Sequence, residues 1–205
     1  MFVYCNDSPV AFEDSGGRRM VSCVDDWNGG GGSGETPSYE PINGQSYEPY
    51  GNMPYGISTI GFSGCEAIAI YNALLLSGKP RSFNEIKSFL EDRFSKGGGY
   101  GLLGLFGADY FDICSALNYY NSGFNLLKYD DLSSLEKGNV MIIGFWTKTS
   151  IMNSLQVPSI HTIAVRYDGD YYVYNMYNNI ADVSSYKTAS SFVKKENYIY
   201  GFLLN

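Results

Sequence analysis

Between Gly64 and Ser77 the chain reads GCEAIAIYNALLLS, a helix-length run whose interior polar interruptions are Glu66 and Asn72. A helix on a protein surface shows one apolar stripe, whereas one that is apolar nearly all round must be surrounded. Gly78 supplies a C-terminal stop and Pro80 lies just beyond it. The run is far too short to cross a membrane. Whatever else this chain does, it must wrap a domain around this segment.

The material for wrapping follows in order. Ser82-Phe83-Asn84-Glu85 is a capping box opening a second helix that runs to Gly97. A third helix is expected over residues 108–120, with Phe111, Cys114 and Leu117 in one apolar stripe, which makes Cys114 a core residue. The pattern then changes to β-branched and aromatic runs at residues 140–147, 162–167, 171–176 and 198–204. Asp168-Gly169-Asp170 reads as a tight hairpin turn between two of them. Helices first and an antiparallel sheet afterwards predict an α+β domain: an N-terminal helical part, its central buried helix packed on a C-terminal antiparallel sheet.

Composition shifts sharply near residue 48. Residues 24–48 are dense in Gly, Pro, Ser and acidic side chains, so residues 21–49 are expected to be a flexible linker and residues 50–205 the compact domain. On that reading the first 45 residues hold too few apolar groups to share a core, and a chain starting near Ser46 would fold as well as the whole. A net charge of −7, with no Lys or Arg run, argues against a nucleic-acid-binding face. The start MFVYCND shows no basic region followed by an apolar one, so no secretory signal is expected there. Cysteines stand at 5, 23, 65 and 114 without a C-x-x-C pair, and His161 is the single histidine, which excludes a Cys/His zinc site; a Cys5–Cys23 disulfide stays open. Two carboxylates, Asp168 and Asp170, are too few for calcium. GYGLLG at 99–104 matches G-x-G-x-x-G literally, but it follows a helix rather than a strand and reads as an apolar loop. No cofactor or metal is expected.

Cys65 stands immediately before the buried helix, where the unpaired amides and the positive end of the helix dipole stabilise a thiolate. Its own backbone N–H can also serve an oxyanion. His161 lies at the expected start of a strand, and a His base needs a third group to hold its ring. Asn175, on the next strand of the hairpin, is 175 − 161 = 14 residues away, an even spacing that suits one face. Asn178 and Asn179 are alternatives if the register differs. Against the chemistry stand a cysteine that simply caps a core helix and a histidine beside an ordinary turn.

Together, Gly64-Cys65-Glu66-Ala67, the strand from His161 and Tyr174-Asn175-Met176-Tyr177 resemble the papain-like fold, and more closely its compact bacterial branch, the bacteriocin-processing double-glycine peptidases. The resemblance spans about residues 58–178 and implies a Cys65 nucleophile, a His161 base and an Asn175 orienter. It departs from the family in two places. The Gln usually found several residues before the cysteine, as the side-chain arm of the oxyanion hole, is replaced by Ile57-Ser58-Thr59-Ile60, so Thr59 or Ser58 would donate, with Asn52 further back. Glu66 would oppose a thiolate if its carboxylate came close.

Residues 2–17, FVYCNDSPVAFEDSGG, resemble the end of the RHS/YD-repeat core domain, whose closing segment has the form YxYCxNNPVxxxDPxG. Tyr4, Cys5, Asn6, Pro9, Val10, Asp14 and Gly16 fall on the pattern, with Ser15 where proline is usual, which puts cleavage next to this motif in doubt. That resemblance implies that residues 1–20 are a remnant of an RHS shell, followed by a variable toxin domain. The chain then reads as the tip of a larger secreted or delivered protein. The expected function is a toxin acting as a cysteine peptidase on a protein substrate, with a cognate immunity protein as partner. A deamidase or acyltransferase using the same three residues, or a binding module without turnover, are the alternatives.

Overall fold

The capping boxes and glycine stops set the helix boundaries. In a computed structural model, residues 39–151 and 155–205 are described. The expected remnant of an RHS shell, Cys5, Cys23 and linker residues 21–38 lie outside them. A two-residue hairpin, β1 (Pro54–Tyr55) and β2 (Ser58–Thr59), leads into one helical turn, α1 (Ile60–Ser63), and directly into α2 (Cys65–Leu76). The end of α2 is closed by Gly78 at φ +75°, and the Lys79 N–H returns to the Leu74 carbonyl at 2.9 Å. Helix α3 (Phe83–Ser95) carries the complete Ser82/Glu85 capping box, and α4 (Tyr110–Tyr119) carries a second one from Asp109 and Asp112.

The sheet strands follow: β3 (Phe124–Leu126), β4 (Val140–Ile151), β5 (Leu155–Tyr167), β6 (Tyr171–Tyr174), β7 (Ser184–Tyr186) and β8 (Tyr198–Leu204). They form one antiparallel sheet in the order β3-β8-β4-β5-β6-β7. Alternation sorts its side chains into two cores. Val140, Ile142, Ala164, Phe202 and Leu204 pack with α2, α3 and α4. Met141, Ile143, Phe145, Ile163, Val165 and Val173 pack on the other side with Leu132, Phe192 and Val193 from the connecting segments. A strand covered on both faces needs apolar residues at successive positions, which is why VMIIGFW shows no period of two. The mixed helix-and-sheet architecture is the α+β class expected.

Four expectations need correction. The folded part begins before residue 50: Ile42 belongs to the helical core at 4% exposure, and Asn43 and Gln45 are buried beside it. The main-chain groups of Ile42 exchange two hydrogen bonds of 2.8 Å with the side chain of Asn72 on α2, so the polar residue inside the apolar helix is what holds this segment. Helix α4 is turned from the expected stripe, with Phe111 at 69% exposure and Cys114 only half-buried. The cause is Asp112, fully buried, which accepts from Gly99 N–H at 2.6 Å and pairs with Arg93 at 3.0 Å, pinning the glycine-rich loop. His161 is well inside β5 rather than at its start. Finally, β6 stops at Tyr174, two residues early, because Asn175 takes φ +57° and leaves the strand.

Candidate active site

Cys65 is the first residue of α2, entirely buried, and no side chain caps that end of the helix. The dipole argument for thiolate stabilisation therefore keeps its geometric basis. Seven residues on a helix fall 20° short of two full turns, so Cys65 shares a stripe with Asn72. At Asn72 that stripe faces Ile42.

His161 is nearly buried, opposite Phe145 across β4 and β5, with the two rings edge-on at 5.8 Å. Its Nε2 lies 2.7 Å from the main-chain carbonyl oxygen of Asn175. A carbonyl can only accept, so Nε2 carries the proton and Nδ1 is left with the lone pair in the neutral ring. Asn175 thus does contact the histidine, but through its backbone. Its carboxamide is engaged elsewhere: Nδ2 donates to Gln45 Oε1 at 3.0 Å, and Oδ1 accepts from the Gln45 N–H at 3.2 Å. The left-handed backbone is held by a further bond from Asn175 N–H to Asn43 Oδ1 at 2.8 Å. Asn is among the residues that tolerate this conformation best.

Gln45 completes the connection. Its Nε2 donates to the Ile60 and Gly61 carbonyls at 3.2 and 3.3 Å, on the turn that delivers Cys65. A continuous set of hydrogen bonds therefore runs from the His161 ring through Asn175 and Gln45 to α1, four residues before the cysteine. Gln45 was missed in the sequence because it sits in the stretch read as linker, twenty positions from Cys65; the signal was the Asn-Gly-Gln triplet, a polar turn too short to recognise alone. Both of its amide hydrogens are committed to carbonyls, so it acts as a brace.

The remaining candidates are placed as follows. Thr59 is half-buried at the start of α1, where its carbonyl accepts from Ser63 Oγ at 3.4 Å. Asn52 is exposed and bound to Glu48. The Asn178 and Asn179 carbonyls accept from Ser46 N–H and Tyr47 Oη, at 2.9 and 2.6 Å, and thereby hold the 46–47 turn. Asp170 is paired with Lys187 at 2.7 Å. Glu66 is 1% exposed, and burial first, then the neighbouring Cys65, push its carboxyl well above the ordinary carboxylate range. That shift favours the un-ionised form and so weakens its opposition to a thiolate. Among the described residues no group of three or more His, Cys, Asp or Glu could hold a metal ion, and no helix is long and apolar enough to cross a membrane.

Truncating Gln45 to Ala should remove the acceptor of Asn175 Nδ2 and the donor shared by the Ile60 and Gly61 carbonyls, of which Ile60 keeps the Gly64 N–H. At about 1–3 kcal/mol for such a loss, and about 2–4 °C per kcal/mol for a chain of this size, the melting temperature should fall by roughly 5 °C. Differential scanning calorimetry checks this, and an unchanged midpoint would show that the brace is not needed.

No protein-family model matches the chain, and no curated protein matches it.

Proposed function

We propose that this chain carries a papain-like cysteine hydrolase acting on a protein substrate, delivered as the C-terminal toxin domain of an RHS-type polymorphic toxin. The observation that carries the chemistry is the His161 Nε2 to Asn175 carbonyl hydrogen bond of 2.7 Å, which leaves Nδ1 as the base. The thiol proton of Cys65 passes to Nδ1 as sulfur adds to the substrate carbonyl carbon. The oxyanion is met by the Cys65 N–H at the helix start and, in this reading, by Thr59. Collapse expels the amine, which takes the proton from His161, and water then resolves the thioester. The motif at residues 4–16 supports the toxin setting, with an RHS shell and an immunity protein as partners. Two observations favour a binding module instead: Cys65 is 0% exposed, and the side-chain amide of Gln45 is engaged by the Ile60 and Gly61 carbonyls rather than open to a substrate.

Expression of the protein in a bacterial cell should slow growth, and Cys65→Ala should relieve it. Mass spectrometry of the poisoned proteome then separates the reactions. New protein termini indicate peptide cleavage, while a gain of about one dalton at Gln or Asn indicates deamidation, both through the same thioester. Equal toxicity of the two forms would support the binding module.

A further inference from the structure

Glu66 is a carboxyl buried to 1% exposure with no cation paired to it among the described residues. Neither of its carboxyl oxygens has a well-formed hydrogen bond among the described residues, although the Cys65 side chain and the Glu66 and Ala108 N–H groups lie close enough to act on it. A buried carboxyl without an ion pair or a well-formed hydrogen bond costs stability, and an apolar residue would serve a structural role better.

Its position says where it is aimed. Helical side chains lean toward the N-terminus of their helix, and a Cβ placed on Gly107 would meet Glu66 Oε2 at 2.7 Å and the Ser63 carbonyl at 2.6 Å. The carboxyl therefore lies back beside the turn preceding α2, at the end where Cys65 stands. Gly107, at φ +90°, is the residue that lets the glycine-rich loop close over it. The other titratable groups acting around it are Cys65 on α2, Tyr55 on β1, Tyr100 in the loop and Tyr200 on β8, with Asp112 of α4 acting on Tyr55; all are neutral or acidic. The Tyr55 hydroxyl is likewise buried without a partner, whereas the Tyr200 hydroxyl is joined to Thr162 Oγ1 at 2.8 Å.

We propose that Glu66 is a positioning residue for Cys65: an un-ionised carboxylic acid whose O–H becomes a hydrogen-bond donor to the sulfur once the thiol proton has passed to His161. The carboxyl already stands beside the Cys65 side chain in the resting protein, and its O–H gains a far stronger acceptor when the thiolate forms. No proton leaves Glu66 in this step; it is shared with the sulfur and returns as the thiolate is consumed. The idea rests on Cys65 being the nucleophile.

The test follows Cys65 alkylation by iodoacetamide against pH in the wild-type chain, Glu66→Gln, Glu66→Met and His161→Ala. Gln keeps an N–H donor and cannot ionise, so it should retain the wild-type acidic limb. Met removes the donor, and the limb should move up by about one pH unit, the contribution of one charge-assisted hydrogen bond. Difference infrared spectroscopy at pH 7 should show a protonated-carboxyl C=O band in the wild type that Glu66→Gln abolishes, a readout independent of whether the Met variant folds. A Met profile superimposable on a shifted wild-type profile overturns this inference alone, as does absence of that band. A wild-type profile centred at about 8.5 and unmoved by His161→Ala overturns the nucleophile reading, and this inference with it.

Discussion

Cys65 should react with iodoacetamide faster than Cys114 at pH 6, although it is the more deeply buried of the two. Access alone favours Cys114, which is half-buried, over Cys65 at 0% exposure. Burial also pushes the Cys114 thiol up, making it a poorer nucleophile at that pH. Only an unusually acidic Cys65 reverses the order. A helix terminus with an imidazolium nearby lowers a thiol from about 8.5 into the range of about 3.5–7.5. If Cys65 ionises near pH 6, its thiolate fraction there exceeds that of an ordinary thiol by roughly a hundredfold. The weaker intrinsic nucleophilicity of an acidic thiol takes back about a tenfold of this. The net expectation is a rate about ten times higher in the native chain than in His161→Ala, measured by peptide mass spectrometry with Cys5 and Cys23 replaced by Ser. If Cys114 is labelled first in the native chain, and His161→Ala changes nothing, Cys65 is a core residue.

Deleting residues 1–45 should cripple folding, whereas deleting 1–38 leaves every described core contact in place. Removing Ile42 opens a hole worth about 2–5 kcal/mol by analogy with large-to-small core changes. Asn72, fully buried on α2, loses both of its Ile42 partners, and Asn175 loses Asn43 and Gln45. Each stranded polar group costs about 1–3 kcal/mol, against a total stability of about 5–15 kcal/mol. The midpoint of thermal unfolding should drop by at least about 10 °C, followed by circular dichroism on both truncated chains. Matching midpoints would return residues 39–45 to the role of a tether.

The all-round apolar run was enough to specify a central helix, because no exposed position on the protein could accept it. Ser82, Glu85, Gly78 and the Asp168-Gly169-Asp170 turn were likewise legible, since caps and tight turns are set by contacts within a few residues. Those local rules carried the α+β class. They failed where the deciding contact was distant. Periodicity puts Phe111 inside, yet α4 is rotated by Asp112 reaching back to Gly99 and Arg93.

The candidate site divides along the same line. The sequence by itself determined which residues have the right chemistry: one cysteine at a helix start, one histidine in a strand, and an asparagine at a suitable spacing. Only the tertiary structure decided how they are held. It placed the Asn175 carbonyl, rather than its carboxamide, against His161, and recruited Gln45 from a stretch that composition reads as linker. It also enclosed Glu66, which pushes its carboxyl well above the ordinary carboxylate range. The physical reason is that identity and spacing are properties of the chain, whereas protonation, tautomer and hydrogen-bond partner depend on what burial brings near from 100 or more residues away: Gln45 and Asn175 are separated by 130 positions.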